Sequence, residues 1–181
     1  AFLSQVPGMT VLCPSSFSEL KEMLHFALFS VTGPVTIRYP RGAESVYKGC
    51  SLPVQFAPLR EGSDFTVLTY GILVNEALKA ADILEKSGIS VRVLKLNRIA
   101  PLSADEVSDM LKGTTRLLVL EDCLDAGCVG QRVAALALEA RVKLDKLILR
   151  NCGSTLPTEG SVEQLYSSRK LDGVGVAASI E

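Results

Sequence analysis

Short apolar runs alternate with amphipathic segments along most of the chain, a pattern typical of a layered α/β protein. Apolar and β-branched residues predict strands at 9–14, 35–39, 65–70, 91–96, 116–120 and 147–150. Helical periodicity and capping residues predict helices at about 15–31, 75–86, 103–111, 127–141 and 162–166. Strands separated by helices favour a mostly parallel sheet with flanking helices.

The first predicted helix lies between two strands, so residues 9–39 form one β-α-β unit with a parallel strand pair. Three serines near its start are candidate caps: Ser15, Ser16 and Ser18. Glu19 is suitably placed near the positive end of the helix. Four apolar residues at helical spacing are expected to form the buried face: Leu20, Leu24, Ala27 and Leu28. His25 flanks that stripe and is interpreted as a rim residue rather than a catalytic base.

Composition narrows the possible functions only modestly. The 181 residues are 48% hydrophobic and 22% charged, with a formal net charge of −1, which favours a folded protein and gives no general attraction to nucleic acid or to an anionic membrane. No run approaches the roughly 18 apolar residues of a membrane helix. Residues 1–5 lack the basic leader of a signal peptide, so a cytoplasmic protein is expected.

The cysteines are expected to be buried, reduced thiols. They are scattered along the chain: Cys13, Cys50, Cys123, Cys128 and Cys152. None forms a Cys-x-x-Cys pair and the chain has one histidine, so a zinc site is not expected.

Candidate chemistry lies where predicted strands end. Arg38 and Arg41 follow the strand at 35–39, and Arg98 follows the strand at 91–96. Open α/β sheets place ligands at the carboxyl ends of their strands, and a guanidinium matches a phosphate or carboxylate with two parallel hydrogen bonds. From spacing alone, surface pairing with a nearby carboxylate is the commoner role for such an arginine.

A glycine pair at a predicted helix start is a weaker candidate. Backbone N–H groups at Gly127–Gly130 could approach an anion. The preceding carboxylates of Glu121 and Asp122 would repel a phosphate, so we favour a packing or interface role over an anion site or a general acid/base pair.

Three segments form a recognisable set: VPGMTVLCP at 6–14, GPVTIRYPRG at 33–42 and LKLNRIAPL at 94–102. They resemble the C-terminal third of the 1-deoxy-D-xylulose-5-phosphate synthases, in the transketolase superfamily. Four further segments fit the wider superfamily: TYG at 69–71, NEA at 75–77, LVLED at 118–122 and LPTEGS at 156–161. The RYPRG block is the most specific part, since the other segments also fit the beta subunits of 2-oxo-acid dehydrogenases.

The resemblance implies an α/β fold in two parts. Residues 1–42 would be the end of a pyrimidine-binding domain (β-α-β), and 59–181 a transketolase C-terminal domain with a mostly parallel sheet. Residues 43–58 lack a clear period and are interpreted as a linker.

The resemblance also implies a partial site. Arg38 and Arg98 would bind the phosphate of glyceraldehyde 3-phosphate or of the product, with Arg41 as a further candidate or as a partner for a carboxylate. The complete enzyme would join pyruvate to that aldehyde with loss of CO₂, in the isoprenoid precursor pathway. It would need thiamine diphosphate and Mg²⁺ and would form a homodimer.

The chain lacks other parts of the family's pattern. The Gly-Asp-Gly motif and the activating glutamate are not in it, and Ser4-Gln5 stands where Arg-His is frequent. No catalytic, cofactor-binding or metal-binding residue is therefore assigned, and the chain is expected to be inactive without the missing N-terminal part. Three alternatives remain: a transketolase, a dehydrogenase beta-subunit fragment, or a non-catalytic dimerisation or assembly module.

Overall fold

The computed structural model describes residues 2–49, 55–156 and 159–181. Its strands are β1 Thr10–Leu12, β2 Val35–Ile37, β3 Phe56–Arg60, β4 Phe65–Thr69, β5 Val91–Leu96, β6 Arg98–Ala100, β7 Arg116–Leu120 and β8 Lys146–Arg150. Its helices are α1 Phe17–Phe29, α2 Val74–Lys86, α3 Ala104–Met110, α4 Val129–Glu139, α5 Val162–Ser168 and α6 Gly173–Ile180. Within these ranges no helix is long and apolar enough to cross a membrane.

A five-stranded sheet in the order β3-β5-β4-β7-β8 forms the centre of the larger part. β4, β5, β7 and β8 are parallel, and only the edge strand β3 runs antiparallel. Helices α2 and α6 complete one apolar core and α3 and α4 the other, so both faces of the sheet are covered, as a parallel sheet requires. The predicted α/β fold is confirmed.

A second, three-stranded sheet has the order β2-β1-β6. β1 and β2 are parallel, which confirms the β-α-β unit predicted at the start of the chain. β6 joins the other side of β1 in the antiparallel sense, with an irregularity between the pairs Val11–Ala100 and Leu12–Arg98. This short strand was not predicted, and it carries Arg98 out of the larger sheet and into the smaller one.

Two further elements lie where the sequence predicts none. β3 begins at Phe56, inside the segment interpreted as linker, and it contains Pro58, which a strand tolerates at a sheet edge. Residues 50–54 of that segment lie outside the described residues. α6 begins at Gly173, where an added Cβ would lie 2.7 Å from Cβ of Lys79. Glycine therefore lets α6 approach α2 closely, although it is a poor helix former.

The buried face of α1 differs from the prediction. Ser16, one of the three candidate serines, caps the helix, because its side chain accepts a hydrogen bond from the Glu19 N–H. The residues that enter the interior are Glu19 and Met23, whereas Leu24 and Leu28 are exposed. Positions 19 and 23 lie about 100° around the helix from positions 20 and 24, so the leucine stripe is rotated outward. His25 is exposed, and its ring lies 4.7 Å from that of Phe29.

A buried ion pair explains this rotation. The Glu19 carboxylate lies 3.0 Å from Nζ of Lys95, and both side chains are fully buried. Glu19 also accepts from the Ser15 N–H at 2.7 Å and from the Tyr47 hydroxyl at 3.0 Å. Because Lys95 lies on β5, next to the edge strand β3, the pair joins the first helix to the five-stranded sheet.

Candidate active-site edge

Arg38 lies directly after β2, and its backbone N–H still donates to the Leu12 carbonyl at 2.8 Å. Its guanidinium donates to Asp122 Oδ1 at 2.7 Å and lies 5.9 Å from the centre of the Tyr70 ring. Tyr70 and Asp122 follow β4 and β7, so three strand ends converge here. This is the edge at which open α/β sheets bind their ligands.

The Arg38–Asp122 pair orients the arginine more than it stabilises the fold. The Arg38 side chain is 41% exposed, and exposed ion pairs contribute at most about 1 kcal/mol. One guanidinium edge engages Asp122, and the ring of Tyr70 restricts the group from another side. The arginine is thus held in place while part of it stays open to solvent.

Arg98 has different surroundings. Its guanidinium forms an ion pair with Glu106, whose carboxylate also accepts from the Ser103 N–H and completes the capping box of α3. Leu12 pairs with Ile37 on one side and with Arg98 on the other, so the Arg98 backbone lies about 10 Å from β2, two strand spacings away.

The register places the two arginines on opposite faces of the small sheet. Side chains alternate between the two faces along a strand, so Ile37 lies on one face and Thr36 and Arg38 lie on the other. Ile37, Leu12 and Arg98 are aligned across the sheet. The structure does not bring the guanidiniums of Arg38 and Arg98 together in one pocket.

Arg41, the third candidate, is exposed in the loop after β2. Among the described residues it forms no ion pair. The phosphate-binding roles of Arg38, Arg98 and Arg41 remain predictions.

A cavity of about 820 Å³ lies between residues 2–5, the small sheet and the start of α4. Arg38 lines it, together with Arg132 of α4, and Arg98 does not. Arg132 was not predicted from the sequence as a residue of this edge. The sequence does contain a signal for it. An arginine in the first turn of a helix is unfavourable because its charge opposes the helix dipole, so an arginine at this position is expected to serve a purpose other than helix stability.

Glu121 organises the opposite side of this edge. Its buried carboxylate accepts from the Val129 N–H at 2.8 Å, the Gly130 N–H at 2.7 Å and the Tyr70 hydroxyl at 2.8 Å. An added Cβ at Gly130 would lie 2.8 Å from Glu121 Oε1. The first turn of α4 therefore binds an internal carboxylate, which confirms the packing role expected for Gly127–Gly130.

Burial affects the titration of the groups near this edge. It raises the pKa of Tyr70 well above its usual range, and the negative charge of Glu121 acts in the same direction. Burial raises the pKa of Cys13 to about 11 and that of Cys123 to about 12. Thiols with raised pKa values hold little thiolate at neutral pH and are weak nucleophiles.

The predicted burial of the thiols is confirmed in part. Cys13 and Cys128 are buried, Cys123 and Cys152 are partly buried, and all four are free thiols. Cys50 lies outside the described residues, as do Pro157 and Thr158 of the LPTEGS segment. Among the residues that the structure describes, no group of three or more histidine, cysteine or acidic side chains could hold a metal ion.

Comparison with known proteins decides the family. The model of the transketolase C-terminal domain matches residues 55–176. The chain belongs to the transketolase family. It shares the fold of a structure described as "Split gene transketolase, inactive beta4 tetramer", with 25% identity, a TM-score of 0.84, and coverage of 98% of this chain and 58% of that one. A transketolase from Pichia stipitis is 18% identical, with a TM-score of 0.75 over 98% of this chain and 25% of its own.

The similar curated proteins are synthases. The chain is 35% identical to the 1-deoxy-D-xylulose-5-phosphate synthase of Chlorobium phaeovibrioides, covering 99% of this chain and 29% of that protein. It is 31% identical to the enzyme of the same name from Chlorobium luteolum, covering 100% and 29%. The resemblance inferred from the sequence is thereby confirmed. The chain spans less than a third of the length of these relatives.

Proposed function

We propose that this transketolase C-terminal domain belongs to a thiamine-diphosphate-dependent enzyme of the 1-deoxy-D-xylulose-5-phosphate synthase type. Such an enzyme converts pyruvate and glyceraldehyde 3-phosphate into 1-deoxyxylulose 5-phosphate and CO₂, a precursor for isoprenoids. The observation that carries the proposal is Arg38, oriented by Asp122 at the strand edge and lining the cavity beside it. Identity to synthases along essentially the whole chain supports it.

Arg38 would position the phosphorylated acceptor. A guanidinium binds a phosphate through two parallel hydrogen bonds, which fixes both the distance and the orientation of the group. Each charge-assisted hydrogen bond contributes about 1.5–3 kcal/mol. Holding the aldehyde in a reactive orientation is a direct contribution to rate, and it requires only residues of this chain.

Arg98 and Arg41 are proposed as weaker contributors. Arg98 would have to release Glu106 before it could bind a phosphate on the side of Arg38. Arg41 is exposed, so it would meet a phosphate at the rim or pair with a carboxylate across a domain boundary. We therefore expect Arg38 to dominate acceptor binding.

Thiamine diphosphate and Mg²⁺ would be bound by the remainder of the enzyme. The described residues of this chain present no set of metal ligands, and the carboxylate of Glu121 occupies the N–H groups at the start of α4, so the residues here do not fit the diphosphate. The cofactor would provide the electron sink for loss of CO₂. Without the N-terminal part, and without its homodimer, this chain would not turn over.

A transketolase proper is the second candidate. The similarity in fold to the split-gene transketolase, over 98% of this chain, favours it. Such an enzyme would also bind phosphorylated sugars through Arg38. A dehydrogenase beta subunit would handle no phosphorylated acceptor, and an assembly module would need no ligand at this edge.

A chimeric enzyme tests the proposal. This chain would replace the matching C-terminal segment of the Chlorobium phaeovibrioides enzyme, and CO₂ and 1-deoxyxylulose 5-phosphate would be measured from pyruvate and glyceraldehyde 3-phosphate. We expect turnover, and none from the same relative truncated before that segment. A folded, dimeric chimera that releases no CO₂ from pyruvate would contradict the proposal. Two-carbon transfer from a ketose phosphate without CO₂ would favour the transketolase.

A further inference from the structure

A second cavity, of about 390 Å³, lies at the amino edge of the large sheet, away from Arg38. One wall is the turn between β3 and β4, residues 61–64, and the other is the loop between α3 and β7, residues 112–115. The first residues of β4 and β7 and Arg92 of β5 also line it. Its volume falls in the range of small-molecule sites, roughly 300–1,000 Å³.

Both walls of this cavity are held in place by the sheet. The Asp64 carboxylate accepts from the Ser90 N–H at 2.7 Å, and the Asp64 N–H donates to the Ser90 carbonyl at 2.9 Å. An added Cβ at Gly62 would lie 2.2 Å from the backbone of β5, so glycine allows the turn to pack this closely. On the other wall, the hydroxyls of Thr114 and Thr66 lie 3.0 Å apart. The cavity is therefore formed before any ligand arrives.

The charges of the lining leave an excess of cations. Arg92, Lys112 and Arg116 line the cavity, and none of them forms an ion pair among the described residues. Two carboxylates, Glu61 and Asp64, also line it. The Asp64 carboxylate is already bound to a backbone N–H, and Glu61 is exposed. Three cations against two carboxylates favour an anion.

The guanidinium of Arg92 is incompletely hydrogen-bonded. Its Nη1 donates to the carbonyls of Met110 and Lys112, both at 3.4 Å, which is long for such a bond. Its Nε is buried and has no hydrogen-bond partner. A buried polar atom without a partner costs free energy and is uncommon in folded proteins. An acceptor in the adjacent cavity would strengthen the bonding of this group.

We propose that this cavity binds a small hydrophilic polyanion, with Arg92 as its main contact and Lys112 and Arg116 beside it. Carboxylates and phosphates share the chemistry that a guanidinium recognises, a planar pair of acceptor oxygens. Ser63 and Thr115 supply hydroxyl groups on the two walls. These groups suit a polar skeleton better than an apolar one.

The inference does not rest on the proposed function. The two edges of the sheet are separated by the length of β4, which has five residues and spans about 17 Å. A small ligand at the amino edge therefore cannot contact Arg38. It would act as an effector or a stabilising ligand of this domain, and not as the substrate.

Binding to the 181-residue chain tests the proposal. Citrate and pyrophosphate would be titrated calorimetrically at low ionic strength, where charge interactions are least screened. We expect saturable binding that Arg92→Gln weakens at least about tenfold, since a lost charge-assisted hydrogen bond has that effect. Arg92→Lys keeps the charge but not the planar fork, so an intermediate affinity is expected.

Two exposed positions keep the test independent of stability. Lys112→Gln should weaken binding about three- to fivefold, the effect of one exposed ion pair. Glu61→Gln should tighten it, because the substitution removes a carboxylate that repels the ligand. The matched control is Lys143→Gln, an exposed lysine in the loop between α4 and β8, outside the cavity. It should bind like the unchanged chain. If thermal unfolding shows that Arg92→Gln does not fold, Lys112→Gln and Glu61→Gln decide the question.

The two probes identify the source of the anion. Binding of citrate alone assigns the site to carboxylates, binding of pyrophosphate alone assigns it to phosphates, and Lys112-dependent binding of both supports a general polyanion site. Absence of saturable binding of either probe overturns the proposal. Equal affinities of Lys112→Gln and Lys143→Gln would also overturn it, since binding would then not depend on this cavity.

Discussion

At the scale of single residues, Glu121 has the greatest influence on the proposed site. Its carboxylate binds two N–H groups of α4 and the Tyr70 hydroxyl, and the Tyr70 ring in turn lies beside Arg38. The sequence shows an acidic pair before a glycine-rich helix start, which already disfavours phosphate there. It cannot show that Glu121 turns inward while Asp122, one position on, reaches Arg38.

Glu121→Gln should destabilise the fold by about 1–3 kcal/mol, because the amide removes a charge from a helix N-terminus and directs an NH₂ group toward N–H donors. Urea unfolding measures this. Glu139→Gln, an exposed change at the end of the same helix, should alter the free energy of unfolding by less than about 0.5 kcal/mol. Equal effects of the two substitutions would contradict the role given to Glu121.

Cys13 should make the fold sensitive to alkali. Burial raises its pKa to about 11 from an ordinary value of 9.0. The neutral thiol is favoured in the folded state, so its contribution to stability is complete below about pH 9 and is lost as pH rises toward 11. Urea unfolding between pH 8 and 11 should therefore show a shallower decline in stability for Cys13→Ala than for the unchanged chain. The same decline in both would refute this, and Cys152→Ala, at a less buried thiol, is the control.

At the scale of elements, the hydrophobic pattern of the sequence predicts helices and strands correctly where the packing is regular. Apolar periodicity and capping residues that are visible in the sequence predict strands β4, β5, β7 and β8 of the large sheet. They also predict helices α2 to α4. β6 and α6 do not follow this pattern, since β6 has three residues and α6 contains two glycines that serve close packing. The predicted orientation of α1 was wrong because a buried charge pair, rather than the leucine stripe, determines which face of the helix is buried.

The Glu19–Lys95 pair should show strong coupling. Lys95→Met would leave a buried carboxylate without its cation, at a cost of about 3–5 kcal/mol. Glu19→Gln combined with Lys95→Met should restore most of that loss. The free energies of unfolding of both single variants and of the double variant measure the coupling energy.

Lys79→Met is the matched control for that cycle. Its ion pair with Glu76 is on the surface, with the lysine side chain 59% exposed, and should contribute at most about 1 kcal/mol. Additive effects at Glu19 and Lys95 would show that the pair is not coupled.

At the scale of the whole molecule, the candidate site lies where the small sheet meets the carboxyl edge of the large one. The sequence predicts Arg38 there because a strand, a proline and a glycine are recognisable around it. It does not predict Asp122 as a partner, because the two residues lie 84 positions apart. Arg132 was missed for the same reason: its place in the cavity depends on how α4 packs beside the small sheet.

Selectivity for the phosphate group tests the central claim most directly. In the chimeric enzyme, the ratio of kcat/KM for glyceraldehyde 3-phosphate to that for glyceraldehyde would be measured with and without Arg38→Ala. We expect the substitution to lower this ratio by about 10- to 100-fold, the loss of one or two charge-assisted hydrogen bonds, with the KM for pyruvate unchanged. A ratio that Arg38→Ala leaves intact would contradict the account.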